Sequence, residues 1–183
     1  SQHTDLLRPF IRELDINVDH DLAVMTPGQT PNAVLAKVLT ALEPLFLAEK
    51  PDLVLVQGDT TTAIAGALAA FYARIPVAHV EAGLRTGNRL SPFPEEMNRR
   101  LITQLADLHF AATPNNVDIL LAEGVQKECI ALTGNPVVDA LQRILGRSTA
   151  SPKLAQLLDS ISGKRLIVLT THRRENFGQV MSS

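Results

Sequence analysis

Between Leu53 and Leu132 the chain repeats one pattern: a short, continuously apolar run, a polar turn, then a segment long enough for a helix. The runs are Leu53–Val56, Pro76–Val80, His109–Ala112 and Cys129–Leu132. Apolar runs this short, bounded by turn residues, read as strands buried on both faces. Joining two such strands through a helix makes them parallel, because a parallel neighbour needs a crossover of roughly a dozen residues. The expected fold is therefore α/β, a Rossmann-like parallel sheet with helices on both faces.

The intervening segments carry their own start and stop signals. Thr61–Ala73 is alanine-rich, and Glu95–Ala106 opens on two glutamates. Thr113 caps Pro114–Glu123 and Gly124 closes it, whereas Asn135 caps Pro136–Leu145. Upstream, Leu6–Leu14 reads as a short helix. Asn32–Lys50 is an amphipathic one in which Pro44 predicts a kink or a break. Gly146–Pro152 is the linker candidate. A helix then runs to about Ile161, and Arg165–Thr170 reads as the first strand of a further α/β unit. The expected division is 1–147 and 148–183.

Hydrophobic residues make up 45% of the 183, enough for a sizeable core, and the net charge is −2 with no basic block. Duplex nucleic acid, which needs a clustered phosphate-neutralising surface, is an unexpected partner. The single cysteine, Cys129, excludes an internal disulfide and fits a reducing, cytoplasmic compartment. No apolar run approaches the ~20 residues of a membrane span, so no membrane is expected.

Open parallel sheets bind ligands beyond the carboxyl ends of their strands. That rule selects Asp59, Glu81, the charged loop from Arg85 to Glu95, Gly134-Asn135 and His172-Arg173-Arg174. Asp59 is either an N-cap carboxylate or a proton-transfer or sugar-binding group beside a helix N-terminus that suits phosphate. Glu81 ends a buried strand, where a charge is costly unless paired. It is either functional or bridged to Arg85, Arg99 or Arg100. Glu95, taken on its residues alone, is structural: it favours the helix dipole, and Glu95 and Glu96 face Arg99 and Arg100 four residues on as surface pairs. His172 stands with Arg173 and Arg174 at a strand end, where a phosphate or carboxylate would bind. His79 reads as a satisfied core histidine; His3, His20 and His109 show no pattern. The chain has no G-x-G-x-x-G, P-loop, H-E-x-x-H, C-x-x-C or G-x-S-x-G. No metal is expected.

Five blocks carry a resemblance along nearly the whole chain. They are Gly58-Asp59-Thr60-Thr61-Thr62, His79-Val80-Glu81-Ala82-Gly83-Leu84-Arg85-Thr86, Ser91-Pro92-Phe93-Pro94-Glu95-Glu96-Met97-Asn98-Arg99, Thr133-Gly134-Asn135-Pro136-Val137-Val138-Asp139 and His172-Arg173-Arg174-Glu175-Asn176. Together they closely resemble the non-hydrolysing UDP-N-acetylglucosamine 2-epimerases. The resemblance implies two Rossmann-like domains in the glycosyltransferase-B arrangement. It implies interconversion of UDP-N-acetylglucosamine and UDP-N-acetylmannosamine for bacterial surface polysaccharides, without a nicotinamide or other cofactor. It assigns Asp59, Glu81, Glu95 and His172 to catalysis, with Asp59, Glu81, His172 and Arg173 contacting substrate, and so reverses the structural reading of Glu95. A homodimer is expected.

The family's N-terminal strand and most of its second domain fall outside 1–183, so the chain is expected to be a fragment, inactive alone. Gln2-His3 is similar to a segment that in some members touches a regulatory nucleotide sugar, but Asp5 departs from that pattern. The alternatives are a hydrolysing 2-epimerase that releases free N-acetylmannosamine, a glycosyltransferase-B transferase and a non-catalytic nucleotide-sugar sensor.

Overall fold

The structure, a computed structural model, describes residues 4–147 and 151–168. Its elements are α1 (Thr4–Glu13), α2 (Pro31–Glu49), β1 (Val54–Gln57), α3 (Thr61–Tyr72), β2 (Val77–Ala82), α4 (Glu95–Leu105), β3 (Leu108–Ala111), α5 (Pro114–Ala122), β4 (Ile130–Leu132), α6 (Pro136–Arg147) and α7 (Pro152–Ser160). The chain divides into two compact units, 1–145 and 146–183. In the second, α7 is capped by the Ser151 hydroxyl, which accepts from the Leu154 N–H. Arg165–Val168 form no strand, and the rest of that predicted strand lies outside the described residues.

The first unit holds a four-stranded, all-parallel sheet in the order β1-β2-β3-β4. Each strand lies beside the one before it in sequence, so α3, α4 and α5 are the crossovers. Val54, Val56 and Val77 face α3, where Ala63, Ile64, Ala67 and Ala70 close the core with Ile102 of α4. Fully burying a side chain such as Ile102 stabilises the fold by ~1.5–3 kcal/mol. The alanines leave room for close approach. A Cβ on Gly66 would stand 3.2 Å from a methyl of Val56, so α3 packs closely on the β1 side chains. Cross-strand register puts Leu55, Ala78 and Leu108 on the opposite face. There Leu55 and Leu108 are exposed, so among the described residues the crossover helices cover mainly one side.

Two expectations need amending. Pro44 lies inside α2 and does not end it. The helix is tied to the core on either side of the proline, with Val34 and Val38 buried against Ala65 of α3 and Phe46 packed on the main cluster. At 19 residues α2 is also long and apolar enough, by composition, to cross a membrane, contrary to the sequence reading. One side of it packs on α3, through Val34 and Val38, and most of the rest is not buried.

The loop after β2 starts from a tight packing point. Gly83 has φ +85°, and a Cβ there would lie 2.9 Å from the backbone carbonyl carbon of Asn116. Asn116 donates from Nδ2 to the Gly83 carbonyl at 3.1 Å and completes a capping box with Thr113 at the start of α5. Gly83→Ala therefore combines left-handed strain with overpacking and is expected to cost about 3 kcal/mol in urea unfolding. Gly87→Ala, at φ +79° with nothing within 4 Å, carries only the strain, about 1 kcal/mol. Equal losses in the two variants would contradict this packing.

Candidate active site

β1 ends at Gln57, and Gly58 turns the chain at φ +72° toward α3. Two neighbours fix that turn. The Gly58 N–H donates to the Val80 carbonyl at 3.0 Å, and Nε2 of His79 lies 2.8 Å from the Gly58 carbonyl oxygen. The cap of α3 is Thr60, whose hydroxyl accepts from the Ala63 N–H at 3.3 Å. Asp59 is thus not the N-cap carboxylate, and its side chain is free for another partner. That partner is Arg99, whose Nη2 donates to Asp59 Oδ2 across the gap to α4. Asn98 holds the backbone of the same residue, donating from Nδ2 to the Asp59 carbonyl at 2.8 Å.

Glu81 sits in a β-bulge. The β2–β3 register shifts between Val80 and Ala82, and Glu81 has φ +67°, a left-handed conformation that costs a non-glycine residue ~1–3 kcal/mol. The bulge re-aims its side chain. A Cβ on Gly58 would be 3.5 Å from Glu81 Oε2, so the carboxylate lies against the turn that carries Asp59. Asn135, at the start of α6, donates from Nδ2 to Glu81 Oε1 at 3.2 Å. None of the arginines expected to bridge Glu81 does so. Arg85 grips Glu123 at 2.6 and 2.8 Å, Arg99 takes Asp59 and Glu96, and Arg100 takes Glu96.

Glu95 is the first residue of α4, and its carboxylate is half-buried with no hydrogen bond or ion pair to any described residue. The expected Glu95–Arg99 pair is absent. Residues three and four apart share a helix face, so Glu95 stands on the same face as Asn98 and Arg99, which grip Asp59. The Glu96–Arg100 pair forms at 3.1 Å, but Glu96 is fully buried and not at the surface. Its Oε2 accepts the Thr86 N–H at 3.0 Å and Arg99 Nη1 at 3.4 Å. Burial alone would raise the Glu96 carboxyl pKa. The Thr86 N–H and the Arg100 and Arg99 guanidiniums outweigh it and hold the group below the ordinary glutamate range.

The structure therefore brings Asp59, Glu81 and the first turn of α4 to one rim at the carboxyl ends of β1 and β2, and adds Asn98, Arg99, Glu96 and Asn135. His172 and Arg173 lie outside the described residues. The sequence reading gave Asn98 and Arg99 no role in the site, although their spacing from Glu95 already put them on one helix face with it. A hollow of about 640 Å³ between α2 and α3, lined by Leu39, Phe46 and Tyr72 among others, contains none of these acids. Among the described residues no cluster of side chains could hold a metal ion.

Beneath the rim, His79 and His109 are register partners on adjacent strands, both buried, with both Nδ1 atoms unpartnered. His79 is thus only half satisfied. Desolvation pushes its pKa down to about 4, and lowers that of His109 as well. Each is neutral in the fold, while the unfolded chain protonates near 6.5. The stability given by His79 is complete above 6.5 and is lost as pH falls from 6.5 toward 4, and His109 adds a loss in the same direction. Urea unfolding at pH 5 should give a free energy on the order of 2 kcal/mol below that at pH 7, and His79→Gln should shrink the difference. A flat profile would contradict the buried, neutral pair.

Known proteins resemble this chain in sequence and in fold. The family model described as UDP-N-acetylglucosamine 2-epimerase matches residues 1–183. The chain is 47% identical to the UDP-N-acetylglucosamine 2-epimerase of Salmonella typhimurium over 184 residues, covering 98% of this chain and 49% of that protein. It is 45% identical to the enzyme of the same name from Bacillus subtilis, covering 100% of this chain and 47% of that one. The crystal structure of UDP-GlcNAc 2-epimerase from Neisseria meningitidis bound to UDP-GlcNAc superposes with TM-score 0.88 at 40% identity, over 97% of this chain and 49% of that chain. The chain spans about half the length of the curated relatives it matches. It belongs to the UDP-N-acetylglucosamine 2-epimerase family.

Proposed function

We propose that the protein carrying this chain interconverts UDP-N-acetylglucosamine and UDP-N-acetylmannosamine, without hydrolysis, by elimination and re-addition of UDP. The observation that carries the reading is the convergence of Asp59, Glu81 and the Glu95 helix turn on one rim. The C2–H bond of a sugar is very weakly acidic, so direct inversion needs another route. In the elimination, the bond from C1 to the diphosphate breaks and UDP leaves with the electron pair. C2 gives its proton to a base, and a C1–C2 double bond forms in 2-acetamidoglucal. In the return step, the UDP oxygen bonds to C1 and a proton reaches C2 from the opposite face. Neither step transfers a hydride, so this route requires no nicotinamide.

Two proton-transfer groups on different sides of the ring are the minimum for this scheme. Glu95, with no partner among the described residues, is free to exchange a proton with the sugar. Glu81, aimed by its bulge and held through only one oxygen by Asn135, keeps Oε2 available. Asp59, held by Arg99 at its side chain and by Asn98 at its carbonyl, is the fixed member that orients the sugar. His172 and Arg173 are assigned to the leaving diphosphate, where cationic groups stabilise the developing charge. That a relative has been crystallised with UDP-GlcNAc supports the substrate class. The same reading puts the protein in the cytoplasm as a homodimer supplying precursors for surface polysaccharides, with residues 148–183 opening a second Rossmann-like domain.

The test is turnover of UDP-N-acetylglucosamine in heavy water by the gene product that carries this chain, followed by NMR. Deuterium at C2 and a nucleotide-linked N-acetylmannosamine product are expected. Glu95→Gln should lower kcat by roughly 100-fold or more with a much smaller change in KM. Free N-acetylmannosamine would identify the hydrolysing reaction instead, and absence of exchange at C2 would overturn the epimerase reading.

A further inference from the structure

We propose that Glu96 and Arg99 are positioning residues. The buried Glu96 carboxylate clamps both the Arg99 guanidinium and the backbone of Thr86, and so sets the distance between the Asp59 carboxylate and the loop that leads to Glu95. The proposal rests on the epimerase reading of that site and deepens it.

The geometry is a relay. One nitrogen of Arg99 reaches Asp59 Oδ2 and the other reaches Glu96 Oε2 at 3.4 Å. The same Oε2 accepts the Thr86 N–H at 3.0 Å, and Glu96 Oε1 takes Arg100 Nε at 3.1 Å. Thr86 in turn donates its hydroxyl to the Ser91 carbonyl at 2.6 Å, which folds the loop back toward α4. Asp59 and Arg99 are 40 residues apart in sequence, and Thr86 and Glu96 are 10 apart, so one carboxylate ties three segments together.

Glu96 has no exposed surface, so it meets neither solvent nor substrate. An ion buried this completely is costly, and a hydrophobic residue of similar size would often stabilise more. Simple support for the fold is a weak account of it. Fixing a carboxylate and a loop to within a fraction of an ångström is a better one, because misplacing a reacting group by 1 Å can cost ~100-fold in rate. Arg99 suits the task because a planar guanidinium reaches two carboxylates at a fixed angle. A lysine offers one point charge.

The experiment compares Glu96→Gln, Arg99→Lys and Arg99→Met in the gene product, well below each variant's melting midpoint. Glu96→Gln should lower kcat about 100-fold while KM for UDP-N-acetylglucosamine moves less than about 3-fold. Arg99→Lys should recover part of the loss seen in Arg99→Met. In an Asp59→Asn background Arg99→Met should add little, since Arg99 acts through Asp59. Amide exchange at Thr86, read without substrate, should quicken in Glu96→Gln, which replaces a charge-assisted acceptor with a neutral one. Wild-type kcat and unchanged Thr86 exchange in Glu96→Gln, or full additivity of Arg99→Met with Asp59→Asn, would overturn the proposal and leave the epimerase reading standing. Failure of the wild-type protein to exchange C2 would overturn that reading and with it the catalytic sense of the proposal. Thr86 exchange would then still report whether Glu96 holds the loop.

Discussion

A carboxylate hidden from water, Glu96, joins the parts of this rim, and its ion pairs and hydrogen bonds account for most of the local geometry. Removing a charge from solvent costs several kcal/mol even after the protein relaxes. The cost is tolerable here because both oxygens are occupied, one by Arg100 and the other by Thr86 and Arg99. Those partners are not interchangeable. Thr86 carries the loop, Arg99 carries Asp59, and Arg100 leaves the site. The carboxylate converts the start of an ordinary crossover helix into a bracket for two loop tips.

Strain on the neighbouring strand serves the same rim. Glu81 adopts a left-handed backbone in a bulge, where an unstrained strand residue would follow the pleat. The pleat would keep its side chain in the strand's alternation. The bulge brings it against the Gly58 turn and within reach of Asn135. Nearby, the fold contains the strain with rigid packing: Gly83 is wedged on Asn116, and His79 braces the Gly58 carbonyl from below. The three acids then stand in unlike settings. Asp59 is pinned by a guanidinium, Glu81 is held through one oxygen, and Glu95 has no partner among the described residues. Chemistry that moves a proton to and from two faces of one ring needs that inequality more than it needs mere proximity.

The fold was largely legible in the sequence. Apolar runs such as Val54-Leu55-Val56 and capping residues such as Thr113 are local signals, and local physics decides them. The fate of the charges was less legible. Glu95, Glu96, Arg99 and Arg100 look alike on a helical wheel, and the i to i+4 rule predicts two surface pairs. Tertiary context separates them: Glu96 faces inward, Arg99 turns to a residue 40 positions away, and Glu95 is left without a partner among the described residues. The bulge at Glu81 was also invisible, because nothing in Val80-Glu81-Ala82 marks a register shift. The family resemblance placed Glu95 in the site where residue-level reasoning had not, since function leaves no trace in helix propensity. His79 was read correctly as buried, but its unpartnered Nδ1 and its neighbour His109 depend on cross-strand register that a single sequence does not display.

The central claim is that Asp59, Glu81 and Glu95 face one sugar. A crystal structure of the gene product with UDP-N-acetylglucosamine bound tests it most directly. The account predicts the N-acetylglucosamine ring against all three carboxylates, with at least two within hydrogen-bond reach, about 3 Å, of the ring or its substituents. A sugar seated away from this rim, with Glu95 still unpartnered and the Arg99 fork facing no ligand, would contradict it.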